Sequence, residues 1–157
     1  MEPFSKVILK SGKEQSIKRL HPWIFSGAIK KIEGKPAEGD TVEIFSSTGE
    51  YLATGHYQIG SIAVRIYSFH QVTPDFDFWA LKFKAAWDLR FTLGLTDNKA
   101  TNVYRLVNGE GDGMPGFIVD YYNGIVVMQM HSVGRPRKDT ARGEGTLHFS
   151  FIRYWEG

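Results

Sequence analysis

The 157-residue sequence contains no cysteine. That single absence removes disulfide staples, zinc–thiolate sites, iron–sulfur clusters and cysteine nucleophiles together. No apolar run approaches the roughly 20 residues that a bilayer-spanning helix needs, so a helical membrane span is excluded. Residues 1–6 show no basic stretch leading into an apolar core. No secretory leader is therefore visible, and the cytoplasm is the default compartment. Internal repeats and low-complexity tracts are missing as well. A surplus of charge is also lacking: 19 Lys and Arg face 17 Asp and Glu, and a net +2 does not by itself establish a nucleic-acid partner. What remains is an ordinary globular composition, 42% hydrophobic and 23% charged, of a length that suits one domain or two small ones.

The distribution of charge says more than its sum. Residues 5–35 carry eight basic side chains (Lys6, Lys10, Lys13, Lys18, Arg19, Lys30, Lys31 and Lys35) against two acidic ones, Glu14 and Glu33. The rest, up to residue 132, is mildly acidic. Such a local excess fits either a phosphate-facing edge or a solvated lysine-rich face. Within it lies His21-Pro22-Trp23, where an imidazole and an indole could stack on unpaired bases. Trp23 and Phe25 alternate with Ile24, so one of the two faces must be core. Packing and contact are both open for Trp23.

Periodicity divides the chain near residue 72. Val7-Ile8-Leu9 reads as a strand, Lys13 to Leu20 as a short helix, and Trp23 onward as an extended segment reaching Ile29 and Ile32. Strand signals follow at Thr41–Phe45, Tyr51–Tyr57 and Ile62–Tyr67. Strands this short close economically into a small barrel. Thr73-Pro74-Asp75 supplies a helix start with Thr73 as cap and Pro74 in the first turn. The helix is predicted to run to Leu93, with Phe78, Leu81, Ala85, Leu89 and Thr92 or Leu93 on its inner face. Trp79, Phe83 and Trp87, four apart, read as a second stripe packed on a neighbour. Two strands and the hairpin signal Asn123-Gly124 follow, leading into Ile125–Met130. Strand patterning then fades at Gly134.

Gly111-Asp112-Gly113-Met114-Pro115-Gly116 matches the pattern G-x-G-x-x-G. A nucleotide or S-adenosylmethionine loop needs a helix after it, because the free N–H groups of the helix start face the ligand. Here a β-branched, aromatic strand follows, so a tight turn is the better reading. Glu110, Asp112 and Asp120 lack calcium-loop spacing and read as carboxylates on a surface turn. His21, His56, His70, His131 and His148 show no metal-site spacing, so no metal is expected.

Two segments carry a resemblance. VILKSGKE at residues 7–14 leads into HPWIFSGAI at 21–29, and NVYRLVNGEGDGMPGFIVD occupies 102–120. In order and spacing they resemble the bacterial class I, S-adenosylmethionine-dependent large-subunit rRNA cytosine-5 methyltransferases. The resemblance spans about residues 6–132. It implies an α+β chain: a small PUA-type β-pseudobarrel over residues 1–72, then part of an α/β central domain over 73–132 with one long helix and β-hairpin strands. Residues 133–157 do not resemble the family's continuation. They are expected to be a foreign tail, from a frameshift or an artificial end, on an amino-terminal piece of such an enzyme.

In that family a cysteine thiolate attacks carbon 6 of cytosine before carbon 5 takes the methyl group. No catalytic, cofactor or metal residue can be carried over, because no matching position exists within these residues. S-Adenosylmethionine belongs to the full-length family. The expected function is ribosomal RNA binding through Lys10, Lys13, Lys18, Arg19, His21, Trp23 and Lys30. A stand-alone PUA-like module binding RNA or protein is the alternative, and a small enzyme using carboxylate or histidine chemistry a weaker third. Self-association through the uncovered apolar face of an incomplete central domain is also expected.

Overall fold

Where apolar and polar residues alternate most cleanly, the chain forms strands, and each strand turns its apolar side to one core. The computed structural model describes residues 4–130 and 147–149, and the chain divides into two compact units at Val72/Thr73. The first unit holds β1 (Ser5–Leu9), α1 (Gln15–Lys18), β2 (Trp23–Phe25), β3 (Ile29–Glu33), β4 (Thr41–Phe45), β5 (Tyr51–Tyr57) and β6 (Ile62–Ser68). Val7 and Leu9 of β1, Val42 and Ile44 of β4, and Val64 and Ile66 of β6 are the inward pairs of three strands, joined in the core by Ile17, Ile24, Leu52 and Ala53. Each fully buried aliphatic side chain contributes about 1.5–3 kcal/mol.

The strand order β2-β6-β5-β4-β1-β3 forces the sheet to curl. β2 and β3 lie at opposite ends of that order, yet only Ser26–Ala28, a 3-10 turn, separates them in sequence. Laid flat, six strands would hold the edges about 24 Å apart. The link can bridge at most about 14 Å. Among the described ladders none joins β2 to β3, so the sheet is a pseudobarrel rather than a closed barrel. All pairings are antiparallel except that of β1 with β4. At Gly55 the β5 and β6 backbones approach so closely that a Cβ would lie 2.5 Å from the Arg65 carbonyl oxygen. His56, opposite Thr41 on the face away from that core, is half-buried beside Tyr67: its Nδ1–H donates to the Gly39 carbonyl (3.2 Å), and burial pushes its pKa below the ordinary value.

Two local expectations need correction here. The helix expected from Lys13 to Leu20 is confined to Gln15–Lys18, because Gly12 takes a left-handed φ of +80° and residues 11–14 form turns. The extended segment expected from Trp23 to Ile32 is broken by the 3-10 turn that carries the chain from one edge of the curled sheet to the other.

The second unit holds α2 (Phe76–Thr92), β7 (Val103–Asn108), β8 (Phe117–Tyr122), β9 (Ile125–Met130) and β10 (Leu147–Phe149). The strands form an antiparallel meander in the order β10-β9-β8-β7. Asn123 and Gly124 both take positive φ, +45° and +89°, as a two-residue type I′ hairpin requires. β10 pairs with β9 in a stretch where the sequence shows no strand pattern, Leu147 opposite Met130. Apart from those three residues, the segment expected to be a foreign tail lies outside the described residues.

The helix start moves two residues. Asp75, not Thr73, is the N-cap, and its carboxylate accepts the Phe78 N–H at 2.9 Å. The inner face of α2 also differs from expectation. Trp79, Phe83, Ala86 and Arg90 face the sheet, where Phe83 packs edge-on against Phe117 at 5.4 Å. Leu81, Leu89 and Leu93, expected inside, are exposed, as is Trp87 of the second stripe. α2 carries apolar residues on both sides, so spacing alone could not choose between them. The winning face partly buries two large aromatic rings and brings Arg90 to a carboxylate.

That carboxylate is Asp112. After β7 the chain makes a 3-10 turn at Gly109–Asp112, and Gly113 and Gly116 follow at φ +65° and +72°. A strand comes next, so G-x-G-x-x-G is a turn here and no helix start faces it. Asp112 and Asp120 are not loosely solvated surface carboxylates. Asp112 is buried against Arg90, and Asp120 pairs with Arg105 at 2.8 Å. Among the described residues no three His, Asp or Glu side chains converge as metal ligands, and no helix is long and apolar enough to cross a membrane.

Candidate nucleic-acid interface

Of the residues named from sequence, Lys18, Arg19, His21 and Trp23 lie at the corner where α1 ends and β2 begins, Lys10 and Lys13 lie before α1, and Lys30 lies on β3. Ile17 anchors α1 to the core, so the polar side of that single turn faces solvent. The helix then stops in a Schellman motif. Leu20 N–H donates to Ile17 O at 2.8 Å and His21 N–H to Ser16 O at 3.0 Å. Leu20 occupies the left-handed position at φ +61°. Pro22 and the pairing of β2 with β6 then set the chain extended.

On β2 the alternation resolves the question left open for Trp23. Ile24 enters the core, 2% exposed, while Trp23 is half-buried and Phe25 is 49% exposed. The Trp23 N–H donates to His21 Nδ1 at 3.2 Å, which fixes the imidazole. Its ring meets Trp23 edge-on at 5.9 Å and lies 6.4 Å from Phe25. Across the ladder Arg65 stands opposite Trp23 and places its guanidinium 5.5 Å over the indole. The corner is thus an aromatic cluster of His21, Trp23 and Phe25 with a cation against it.

The basic side chains separate into two groups. Lys10 reaches the same corner, donating from Nζ to the Gly27 carbonyl at 2.8 Å. That partner is neutral, so the charge stays uncompensated. Lys13, Arg19 and Lys30 are exposed, and no described carboxylate pairs with them. Lys30 is the extra residue of a bulge in β3, since Ile8 opposes Lys31 while Leu9 opposes Ile29. Lys18 is different: its Nζ is 2.9 Å from the Glu50 carboxylate. That hydrogen bond and charge raise its pKa and neutralise its field.

Arg65 is the member that sequence reasoning missed. Its signal was weak but present: it is the one charged side chain in the otherwise apolar run of β6. The register that sets it opposite Trp23 was not readable from spacing. Chemically, the corner offers point charges for phosphate and ring faces for bases.

A family model described as a PUA-like domain matches residues 7–69. Ribosomal RNA large subunit methyltransferase I of Erwinia tasmaniensis is 40% identical over 131 residues, which cover 82% of this chain and 33% of that protein. The protein of the same name from Photobacterium profundum is 39% identical over 140 residues, 87% of this chain and 35% of its own length. A putative SAM-dependent methyltransferase from Streptococcus mutans matches the fold with a TM-score of 0.70 at 20% identity, over 82% of this chain and 33% of that one. A structure of a putative methyltransferase complexed with SAH does so equally, at 0.70 and 20%. The chain spans about a third of the length of the curated relatives it matches. The mixed fold expected from the resemblance, a curled PUA-like sheet followed by one long helix and a hairpin sheet, is the fold observed.

Proposed function

We propose that this chain is the RNA-binding amino-terminal part of a large-subunit rRNA cytosine-5 methyltransferase, with the α1–β2 corner as its rRNA-contacting surface. The observation that carries this is the coincidence of four exposed cations with no described carboxylate partner, Lys10, Lys13, Arg19 and Lys30, and an aromatic cluster within the segment that matches the PUA-like family. The names of the relatives support rRNA as the substrate and methyl transfer as the activity of the longer protein. S-Adenosylmethionine is then the cofactor of that longer protein. Within these 157 residues no side chain supplies a thiolate, and the glycine-rich turn has no helix start to offer a cofactor. The test is a salt series of rRNA binding with and without S-adenosylmethionine. Salt-sensitive binding that ignores the cofactor is the expected result. Clear cofactor binding, or RNA binding without salt dependence, overturns the reading.

We also infer that the isolated chain self-associates through α2. Its outward side exposes Leu81 at 68% and Leu93 at 62%, more apolar surface than a helix of a monomeric domain ordinarily leaves in water. Sedimentation at rising concentration should show a dimer that Leu81→Glu with Leu89→Lys abolishes. A monomer at all concentrations refutes it.

A further inference from the structure

The Schellman position that ends α1 asks for glycine, and this chain puts leucine there. A leucine at φ +61° is strained by the approach of its Cβ to the neighbouring carbonyl. A core side chain could offset that strain by burial, but Leu20 is 65% exposed, so no burial recovers the cost. The strain is held in place by the two hydrogen bonds of the motif and by Pro22 directly after it. The exposed residue stands between Arg19 and His21 in the chain, at the edge of the aromatic cluster. Glycine here would relieve the backbone and leave every hydrogen bond of the motif intact. What it would remove is an apolar side chain held out into solvent.

A side chain of this kind, beside flat rings and among cations, suits one ligand chemistry. Phosphates answer the charges, and an exposed base face answers leucine, His21 and Phe25. In a duplex the base faces are stacked away from such side chains. We propose that Leu20 is a base-contacting, specificity-determining residue that makes this corner select unpaired nucleotides over duplex RNA. The inference rests on the RNA-binding reading above and deepens it.

The test compares the 157-residue wild-type chain with Leu20→Gly and Leu20→Met on a mixed-sequence single-stranded RNA and on its perfect duplex. Leu20→Gly should raise the urea midpoint, because the strain is gone. It should weaken single-strand binding by at least about fivefold while leaving duplex binding unchanged. Leu20→Met, which keeps an apolar side chain, should retain the single-strand preference. Single-strand binding by Leu20→Gly equal to wild type, or an equal loss on both RNAs, overturns the proposal alone. Wild-type protein that binds neither RNA overturns the RNA-binding reading and this inference with it.

Discussion

Asp112→Asn should destabilise the second unit by about 3–5 kcal/mol, the cost of leaving one member of a buried ion pair uncompensated. The Asp112 carboxylate accepts both Arg90 guanidinium N–H groups, at 2.6 and 2.8 Å, and the backbone N–H of Asn108 at 2.6 Å. The two side chains are only 9% and 5% exposed. Arg90 further donates from Nε to the Arg105 carbonyl at 2.9 Å, so one guanidinium ties α2 to β7 and to the turn that follows it. Arg90→Met should cost a similar amount, and Arg90→Lys most of it, since an ammonium cannot reproduce the planar fork. The double variant Arg90→Met with Asp112→Leu should recover part of the loss, leaving the Asn108 N–H unpaired. Urea unfolding of wild type, Arg90→Met, Asp112→Leu and the double variant, followed by circular dichroism, gives the coupling. A single-variant cost below about 1 kcal/mol would show that the pair is solvated and that the turn is held by its glycines alone.

The same pair shows where the sequence was legible and where it was not. Strand periods were readable where a strand has one wetter and one dry side, as in β4: Val42 and Ile44 face in, and Thr41, Glu43 and Phe45 do not. The Asn123-Gly124 hairpin was readable because only a few residues accept two successive positive φ angles. α2 was readable as a helix but not in orientation. Its apolar residues occupy nearly the whole circumference, and the choice between faces was made by long-range partners, Phe117 for Phe83 and Asp112 for Arg90. A residue that looks like a surface acid in sequence becomes a buried hinge pin once an arginine 22 positions away arrives beside it. The candidate site divides in the same way. Its location was readable from the local excess of lysine and the His21-Pro22-Trp23 run. Its membership was not, because Glu50 captures Lys18 across the fold and Arg65 joins Trp23 only through strand register.

That redistribution of charge has a large consequence for binding. Replacing Lys13, Arg19 and Lys30 together with alanine should lower rRNA affinity by about 10–100-fold near physiological salt. It should also flatten the slope of log K against log salt by about 2–3, roughly one unit for each lost phosphate contact. Each is an exposed cation with no described carboxylate beside it, as is Lys10, so each releases a counterion when phosphate arrives. Lys18→Ala should change the slope by less than half of one such step, because Glu50 already neutralises Lys18 at 2.9 Å. Glu50→Gln should act in the opposite sense, freeing the Lys18 ammonium and steepening the slope by about one unit. The two variants at one ion pair thus move binding in different directions, which a general loss of fold cannot imitate. Equal effects of Lys18→Ala and of each of the three other single alanines would mean that phosphate displaces Glu50 at no cost. An unchanged slope in the triple variant would remove this corner as the RNA-facing surface altogether.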